Sequence, residues 1–143
     1  MSFNLDQFRL DGKVAIITGA GGRGNSIGAA YAKGLAAAGA NVVVADLNEV
    51  GAVAVAEEIK ASGGKAIGIG VDITNAKQVE IMAGAATEAF GGIDILVNNA
   101  ALMIEAVAFQ IDTIPIEQWE KVMHVNTTGA LICAQAVIPS MRA

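Results

Sequence analysis

The stretch VAIITGAGGRGNSIG, residues 14–28, indicates the fold of this chain more strongly than any other. Its first five residues run through apolar side chains without alternation, which is typical of a strand buried on both faces of a parallel sheet. Glycines follow, and then Ser26, a favourable residue at the start of a helix. Since glycine lets a phosphate approach the backbone and a helix N-terminus attracts anions, the stretch predicts a turn that cradles a dinucleotide pyrophosphate.

The glycine pattern has a second explanation, an ordinary tight turn between a strand and a helix. Residues 19–24 match G-x-G-x-x-G, but a glycine-rich chain produces this match easily. A strand before the glycines, a helix after them and an acidic residue beyond favour a nucleotide site. Spacings of three and four predict the buried side of that helix as Ile27, Ala30, Tyr31, Gly34, Leu35 and Ala38.

The rest of the chain alternates between strand-like and helix-like segments. This alternation predicts βαβ units with right-handed crossovers and a parallel sheet in one α/β domain, residues 1–143. Val50, Val53 and Ala54 are predicted on the apolar side of the second helix, and Thr74 is predicted to cap the third. The other predicted strands are residues 41–46, 66–71 and 93–98, and the other predicted helices are about 48–62, 75–90 and 116–139.

Composition limits the class of protein. The 143 residues are 54% hydrophobic and carry a net charge of −5 without any basic run, which argues against a nucleic-acid surface. Cys133 is the single cysteine, which excludes an intramolecular disulfide and favours a reducing compartment. No signal peptide, membrane span or metal-ligand spacing is recognisable. We expect a soluble cytoplasmic protein that binds no metal, membrane or nucleic acid.

The second predicted strand ends in Asp46, at the edge where ligands of open parallel sheets bind. A carboxylate there can accept both hydroxyls of an adenosine ribose and repels a 2′-phosphate, which favours NAD over NADP. Arg23 argues the other way, since a basic side chain in the glycine turn could pair with a 2′-phosphate. The alternative for Asp46 is a helix-capping or solvated carboxylate.

Polar side chains also follow the third and fourth strands. Asp72 could accept from an adenine amino group while Ile73 packs on the ring, and the alternative is a turn carboxylate without a ligand. Asn98 and Asn99 can bridge backbone groups that the sheet leaves unpaired. Small residues such as Ala100 would let a cofactor lie across the strand end.

Together and in order, these motifs resemble the N-terminal part of the short-chain dehydrogenase/reductase family. The resemblance runs from Leu10 to Pro139 and rests on the glycine turn after AIITG, on VVVAD, GVDIT and DILVNNA, and on WEKVMHVNTTG at residues 119–129. It implies a Rossmann-type doubly wound sheet, incomplete here, with four strands in the order 3-2-1-4 and flanking helices. It further implies NAD as cofactor (NADP is less favoured), hydride transfer to or from a small alcohol or ketone, and a homo-oligomer, dimer or tetramer.

The resemblance also assigns roles to individual residues. Asn126 matches the family's helix asparagine, which kinks its helix, holds a water and supports the proton relay to the catalytic lysine. The alternative is a polar helix residue without a role, and Asn98 would be mainly structural. The predicted contacts to the pyrophosphate, ribose, adenine and nicotinamide-side ribose are Gly19, Ser26, Ile27, Gly28, Asp46, Asp72, Ile73, Asn99 and Ala100.

The sequence departs from the family pattern at several points. The glycine turn is three residues longer than T-G-x-x-x-G-x-G and has Ser26 in place of the middle glycine. This extended turn with its Ser-Ile pair resembles the enoyl-reductase branch of the family, which stays an alternative, whereas Asn98-Asn99-Ala100 and Asn126 favour the ketone/alcohol branch. NNAA replaces the usual NNAG. The family's catalytic serine and Tyr-x-x-x-Lys are absent, since Tyr31 is the only tyrosine and lacks the lysine spacing. We therefore expect a part of a longer protein, truncated before that segment and inactive alone. Its fourth strand would present an open apolar edge.

Two potentially reactive residues have ordinary explanations. His124 precedes Asn126 by two positions and is expected on the surface, pointing away from the site, and Cys133 is expected in the core of the last helix. Two further functions stay open: a nucleotide-binding or assembly module without catalysis, and a methyltransferase-like α/β domain. The sequences NNAA and VNTTG argue against the methyltransferase.

Overall fold

The computed structural model describes residues 4–22, 26–103 and 110–143. In these residues, four parallel strands form one sheet in the order β3-β2-β1-β4, as predicted. The central strand β1 has Val14 beside Asn41 of β2 and Ala15 beside Ile95 of β4. The bounds of the strands are Val14–Thr18 (β1), Asn41–Asp46 (β2), Lys65–Gly70 (β3) and Ile95–Val97 (β4).

Strand β4 is shorter than predicted, and side-chain hydrogen bonds join its two ends to β1, beside a backbone bond from the N–H of Asp94 to the carbonyl of Val14 at 2.9 Å. Before it, Asp94 accepts a hydrogen bond from the backbone N–H of Val14 at 2.9 Å. After it, the hydroxyl of Thr18 accepts from the backbone N–H of Asn99 at 3.2 Å. Among the described residues β4 pairs only with β1, and its three apolar side chains are partly exposed. Within that part of the chain, the predicted open apolar edge is therefore confirmed.

The described residues form five α-helices, and asparagine or serine caps the first three. They are Ile27–Ala37 (α1), Glu49–Ala61 (α2), Ala76–Phe90 (α3), Ile116–Met123 (α4) and Ala130–Arg142 (α5). Ser26 caps α1 as predicted, because its hydroxyl accepts from the N–H of Ala29 at 3.2 Å. The predicted cap of α3 is wrong: Asn75 caps it, because the hydroxyl of Thr74 instead donates to Asp72 at 2.7 Å.

Helices cover both faces of the sheet, so the fold is doubly wound as predicted. Successive side chains of a strand point to opposite faces. Ala15 and Ile17 of β1 belong to the apolar cluster with α1 and α2, and Ile16 belongs to the cluster with α3 and α5. Because both faces are covered, all five residues of β1 are buried, which accounts for the apolar run without alternation.

The buried sides predicted for α1 and α2 are wrong for most residues, although Leu35 of α1 does pack, partly buried, against the core. Ile27 is 71% exposed, Tyr31 50% and Val50 81%. Other residues face the sheet instead: Gly28, Ala29 and Ala32 in α1, and Ala52, Val55, Ala56 and Ile59 in α2. In α1 the residues that face the sheet are small, whereas in α2 they include Val55 and Ile59, so side-chain size does not by itself mark the buried side. The inward residues predicted for α3, Val79, Met82 and Ala86, are confirmed.

The last helix is interrupted near its middle. A π-helical segment, His124–Gly129, joins α4 to α5 and contains Asn126, where the family resemblance implies a kink. By length and composition alone, the helical stretch Ile116–Arg142 is long and apolar enough to cross a membrane. Core helices of soluble proteins meet the same criterion, and Cys133 and Val137 of α5 are buried in the apolar cluster against the sheet.

Candidate functional site

A cavity of about 690 Å³ lies at the carboxyl ends of the strands. The ends of all four strands contribute to it, as expected for the ligand-binding edge of an open parallel sheet. Six of the predicted cofactor contacts line it: Gly19, Asp46, Asp72, Ile73, Asn99 and Ala100. The structure therefore brings together residues from separate segments of the sequence, although the role of each toward a ligand stays a prediction.

The start of α1 lies against the end of β1. Gly19 has a φ of 68°, and a Cβ atom there would be 2.6 Å from the Cα of Ala100. At Gly28 a Cβ would collide with the carbonyl oxygen of Gly19 and lie 2.6 Å from the side-chain nitrogen of Asn99. Glycine at position 19 thus allows the segment after β4 to lie close, and glycine at position 28 allows the N-terminus of α1 to lie against Gly19. Ser26, Ile27 and Gly28 do not themselves line the cavity.

The Asp46 carboxylate binds the backbone of the glycine turn and the backbone just before α2. One of its carboxylate oxygens accepts from the N–H of Gly21 and the other from the N–H of Asn48, each at 2.8 Å. The cap of α2 is Asn48 and not Asp46, so helix capping does not explain this carboxylate. Each oxygen keeps a second lone pair for a ligand hydroxyl. The opposing prediction for Arg23 lies outside the described residues.

Asp72 and Ile73 form the part of the cavity after β3. Asp72 accepts from the hydroxyl of Thr74 at 2.7 Å and from its backbone N–H at 2.9 Å. These bonds hold the pKa of the Asp72 carboxyl below its usual range, with a smaller contribution from the charge of His124. Ile73 is buried and packs against Gly129 of the π-helical segment. A turn carboxylate is thus one role of Asp72, and contact with adenine stays a prediction.

Thr18 is a residue of the site that sequence reasoning missed. Its hydroxyl accepts from the backbone N–H of Asn99 at 3.2 Å and of Ala100 at 3.1 Å, and it donates to the carbonyl of Val97. The side chain of Asn99 in turn donates to the carbonyls of Thr18 and Gly19 at 2.9 and 3.0 Å. Asn99 therefore bridges backbone groups as predicted. The available signal for Thr18 was a hydroxyl at the end of an otherwise apolar strand.

Asn126 fastens the loop after β4 to the π-helical segment. Its side-chain oxygen accepts from the N–H of Leu102 at 2.8 Å, and its side-chain nitrogen donates to the carbonyl of Leu102 at 3.3 Å. Leu102 lines the cavity, so Asn126 acts on the site through this residue. A structural role is also visible for Asn98, which donates to the carbonyl of Ala130 at 3.2 Å. The water and the proton relay implied for Asn126 stay predictions.

Replacing Asn126 with alanine should lower the free energy of unfolding by about 1–3 kcal/mol, because the N–H and C=O of Leu102 both lose a partner in a partly buried place. Urea denaturation followed by circular dichroism measures this loss. The matched control Asn98→Ala removes a single bond of an exposed side chain and should cost about 1 kcal/mol or less. A loss for Asn126→Ala no larger than that of the control would contradict the prediction.

Neither of the two potentially reactive residues is placed as a nucleophile. His124 is exposed, as predicted, yet it lines the cavity opposite Asp72, so the expectation that it points away from the site is wrong. Burial raises the pKa of the Cys133 thiol to about 11, and the thiol is therefore protonated at neutral pH. Within residues 4–22, 26–103 and 110–143, no three His, Cys, Asp or Glu side chains are grouped to hold a metal ion.

A doubly wound parallel sheet with a glycine turn after β1 and a cavity at the strand ends defines a Rossmann-like α/β protein. Sequence comparison narrows this class, because the family pattern described as short chain dehydrogenase matches residues 13–143. The chain therefore belongs to the short-chain dehydrogenase/reductase family. The family uses NAD(P) cofactors, acts on small-molecule substrates and is generally oligomeric.

Similar proteins support this membership. The 2,5-dichloro-2,5-cyclohexadiene-1,4-diol dehydrogenase LinX of Sphingobium indicum is 43% identical over 133 residues, which cover 93% of this chain and 51% of that protein. D-threitol dehydrogenase of Mycolicibacterium smegmatis is 38% identical over 137 residues, 96% of this chain and 50% of that protein. The chain thus spans about half the length of these relatives.

A solved structure gives the same result for the fold. The crystal structure of a short-chain type dehydrogenase/reductase from Mycobacterium marinum superposes with a TM-score of 0.86 at 39% sequence identity. The match covers 96% of this chain and 53% of the other. The four-stranded sheet described above therefore corresponds to part of a larger fold in that protein.

Proposed function

We propose that this chain forms the cofactor-binding part of an NAD-dependent oxidoreductase that transfers a hydride between nicotinamide and an alcohol or ketone. The cavity at the strand ends carries the proposal, because it gathers the residues predicted to contact ribose, adenine and the nicotinamide side. The residues fit such a cofactor. Glycine at position 28 lets the N-terminus of α1, which favours phosphate, lie against Gly19 at the cavity wall.

The position of Asp46 supports NAD over NADP. Its carboxylate lines the cavity at the end of β2 and keeps lone pairs for two ribose hydroxyls, while its negative charge repels a 2′-phosphate. The net charge of −5 adds a weaker repulsion of the more highly charged cofactor. Both repulsions lower the affinity for NADP(H) itself, so the preference for NAD(H) can be measured by binding alone, without catalytic turnover.

We further propose that these 143 residues bind the dinucleotide without turning over a substrate. When bound, NAD(H) accepts or supplies the hydride, but a proton must also move at the substrate oxygen. Tyr31, the only tyrosine, lies on α1 outside the cavity lining, and the Cys133 thiol is buried. A nucleotide-binding module without catalysis is therefore the second candidate. Oligomerisation and a cytoplasmic location are proposals that rest on the family and on the lone cysteine.

Titration of the chain with NADH and with NADPH, followed by cofactor fluorescence, tests the cofactor assignment. We expect a Kd for NADPH at least about tenfold higher than for NADH, which corresponds to about 1.4 kcal/mol. Equal or tighter binding of NADPH would contradict the role of Asp46, and no binding of either would contradict the dinucleotide site. Incubation with NAD⁺ and a panel of alcohols should give no NADH, and measurable turnover would contradict the proposed inactivity.

A further inference from the structure

The glycine turn is fastened to the start of α2 as well as to the end of β1. Gly21 is buried, and both of its backbone polar groups have partners. Its N–H donates to Asp46 at 2.8 Å, and its carbonyl oxygen accepts from the side-chain nitrogen of Asn48 at 3.2 Å. These two bonds cross 25 and 27 positions of sequence and join the turn to the segment after β2.

All the polar groups of Asn48 take part in this junction. Its side-chain oxygen accepts from the N–H of Gly51 at 3.2 Å and so caps α2, while its backbone N–H donates to Asp46 at 2.8 Å. Its carbonyl accepts from Ala52 at 3.0 Å. The partners determine the orientation of the amide, because Gly21 offers an acceptor and Gly51 a donor. A single side chain therefore begins α2 and also holds the glycine turn.

Gly51 provides the space for this contact. A Cβ atom at position 51 would collide with the carbonyl oxygen of Gly21 and lie 2.6 Å from the side-chain nitrogen of Asn48. A Cβ at Gly21 would lie 2.6 Å from the backbone nitrogen of Ala52. The turn and the first turn of α2 thus touch backbone to backbone, which leaves the turn little freedom at Gly21.

We propose that Asn48 is a positioning residue of the dinucleotide site, which holds Gly21 of the glycine turn in its binding position through the bond to the Gly21 carbonyl. The inference rests on the proposed function. A turn lengthened by three residues has more conformations to lose on binding, and anchoring it beforehand lowers that entropic cost. Asp46 accepts hydrogen bonds from the backbone N–H groups of both Gly21 and Asn48, and it also lines the cavity. A shift of Gly21 would therefore also shift the carboxylate that is proposed to bind the ribose.

Three variants separate anchoring of the turn from capping of the helix. Asn48→Ser keeps an oxygen that caps α2 but is too short to donate to Gly21. Asn48→Ala removes both functions. Asn75→Ala is the matched control, because Asn75 caps α3 through a bond of the same length, 3.2 Å, and its side chain makes no bond to the described residues of the glycine turn. Each variant is compared with the unmodified 143-residue chain in stability, NADH titration and amide exchange of the Gly21 N–H.

We expect Asn48→Ser to recover most of the stability that Asn48→Ala loses, since it restores the cap. Both Asn48 variants should nevertheless raise the Kd for NADH roughly fivefold, the effect of one lost hydrogen bond. Both should also accelerate exchange of the Gly21 amide by a similar factor. Asn75→Ala should lose stability as Asn48→Ala does and leave the Kd and the Gly21 exchange rate unchanged.

Several results would overturn the positioning role. If Asn48→Ser has the same Kd for NADH or the same exchange rate of the Gly21 amide as the unmodified chain, the positioning role is wrong, although the dinucleotide site itself is not contradicted. An equal rise of the Kd in Asn75→Ala would overturn that role as well, because the effect would then follow from any lost helix cap. If the unmodified chain binds no NADH, the proposed function fails, and the role of Asn48 at that site fails with it.

Discussion

Replacing Gly28 with alanine is expected to raise the Kd of the chain for NADH roughly 10- to 100-fold, because a lost hydrogen bond from the helix N-terminus to a charged phosphate costs about 1.5–3 kcal/mol. The added methyl group would collide with the carbonyl oxygen of Gly19 and lie 2.6 Å from the amide nitrogen of Asn99. These atoms belong to backbone and to a side chain already held by two hydrogen bonds, so α1 must move instead. Its N-terminus would then move away from Gly19, which lines the cavity.

The same substitution should also lower the free energy of unfolding by about 1–3 kcal/mol, as overpacking of a filled site does. Gly34→Ala is the matched control on the same helix. Position 34 is exposed and has no atom within 4 Å of the added methyl group, so alanine should stabilise the helix by about 0.5–1 kcal/mol and leave the Kd unchanged. NADH titration and urea denaturation measure both effects. Unaltered NADH binding by Gly28→Ala would show that α1 does not position the cofactor.

Replacing Asp46 with asparagine is expected to bring the Kd values for NADH and NADPH within about threefold of each other. The preference proposed for the unmodified chain, at least about tenfold, depends on the charge of Asp46, and asparagine removes the repulsion of a 2′-phosphate. Both carboxylate oxygens accept backbone N–H groups, from Gly21 and Asn48. An asparagine side chain would place its NH₂ group against one of these two backbone N–H groups. This should lower the free energy of unfolding by about 1–3 kcal/mol and weaken the binding of both cofactors.

The ratio of the Kd for NADPH to the Kd for NADH separates the effect of the lost charge from the effect of a displaced glycine turn. A displaced turn weakens the binding of both cofactors to the same extent, so it leaves this ratio unchanged. Asp94→Asn is the matched control. Asp94 accepts from the backbone N–H of Val14 at 2.9 Å and pairs with Lys13 at 2.8 Å, at the opposite end of β1. The Asp94→Asn substitution changes the net charge of the chain by the same amount as Asp46→Asn, and it should leave the ratio of the Kd values for NADPH and NADH unchanged. An unchanged ratio in Asp46→Asn would place the origin of any NAD preference elsewhere.

The strands were predictable because their signal is local. Buried parallel strands carry unbroken runs of apolar residues, and β1 and β2 have the predicted bounds. β4 was predicted too long, because Ile93 and Asn98 fit the pattern of a strand but do not pair in the sheet. The end of its ladder is set by Asp94 and Thr18, whose bonds reach residues about 80 positions away.

The buried sides of α1 and α2 were not predictable from hydrophobicity. Larger apolar residues were taken as core, yet Ile27 and Val50 are exposed and Ala32 and Ala52 are buried. The buried residues of α1 are small, but in α2 Ile59 is buried while Val50 is exposed, so the buried side is set by how each helix lies on the sheet. In α3, where Met82 fits against the sheet, size and hydrophobicity agree and the prediction is confirmed.

The sequence by itself determined the type and order of the elements and the polar residues that follow each strand, since these depend on local periodicity and on parallel strands ending at one edge. Only the tertiary structure decided which backbone groups those polar side chains bind. The bonds from Asn99 to Gly19 and from Asn48 to Gly21 join positions 80 and 27 apart. At Gly19 and Gly21 these bonds come from distant side chains, because glycine offers only its backbone groups as partners.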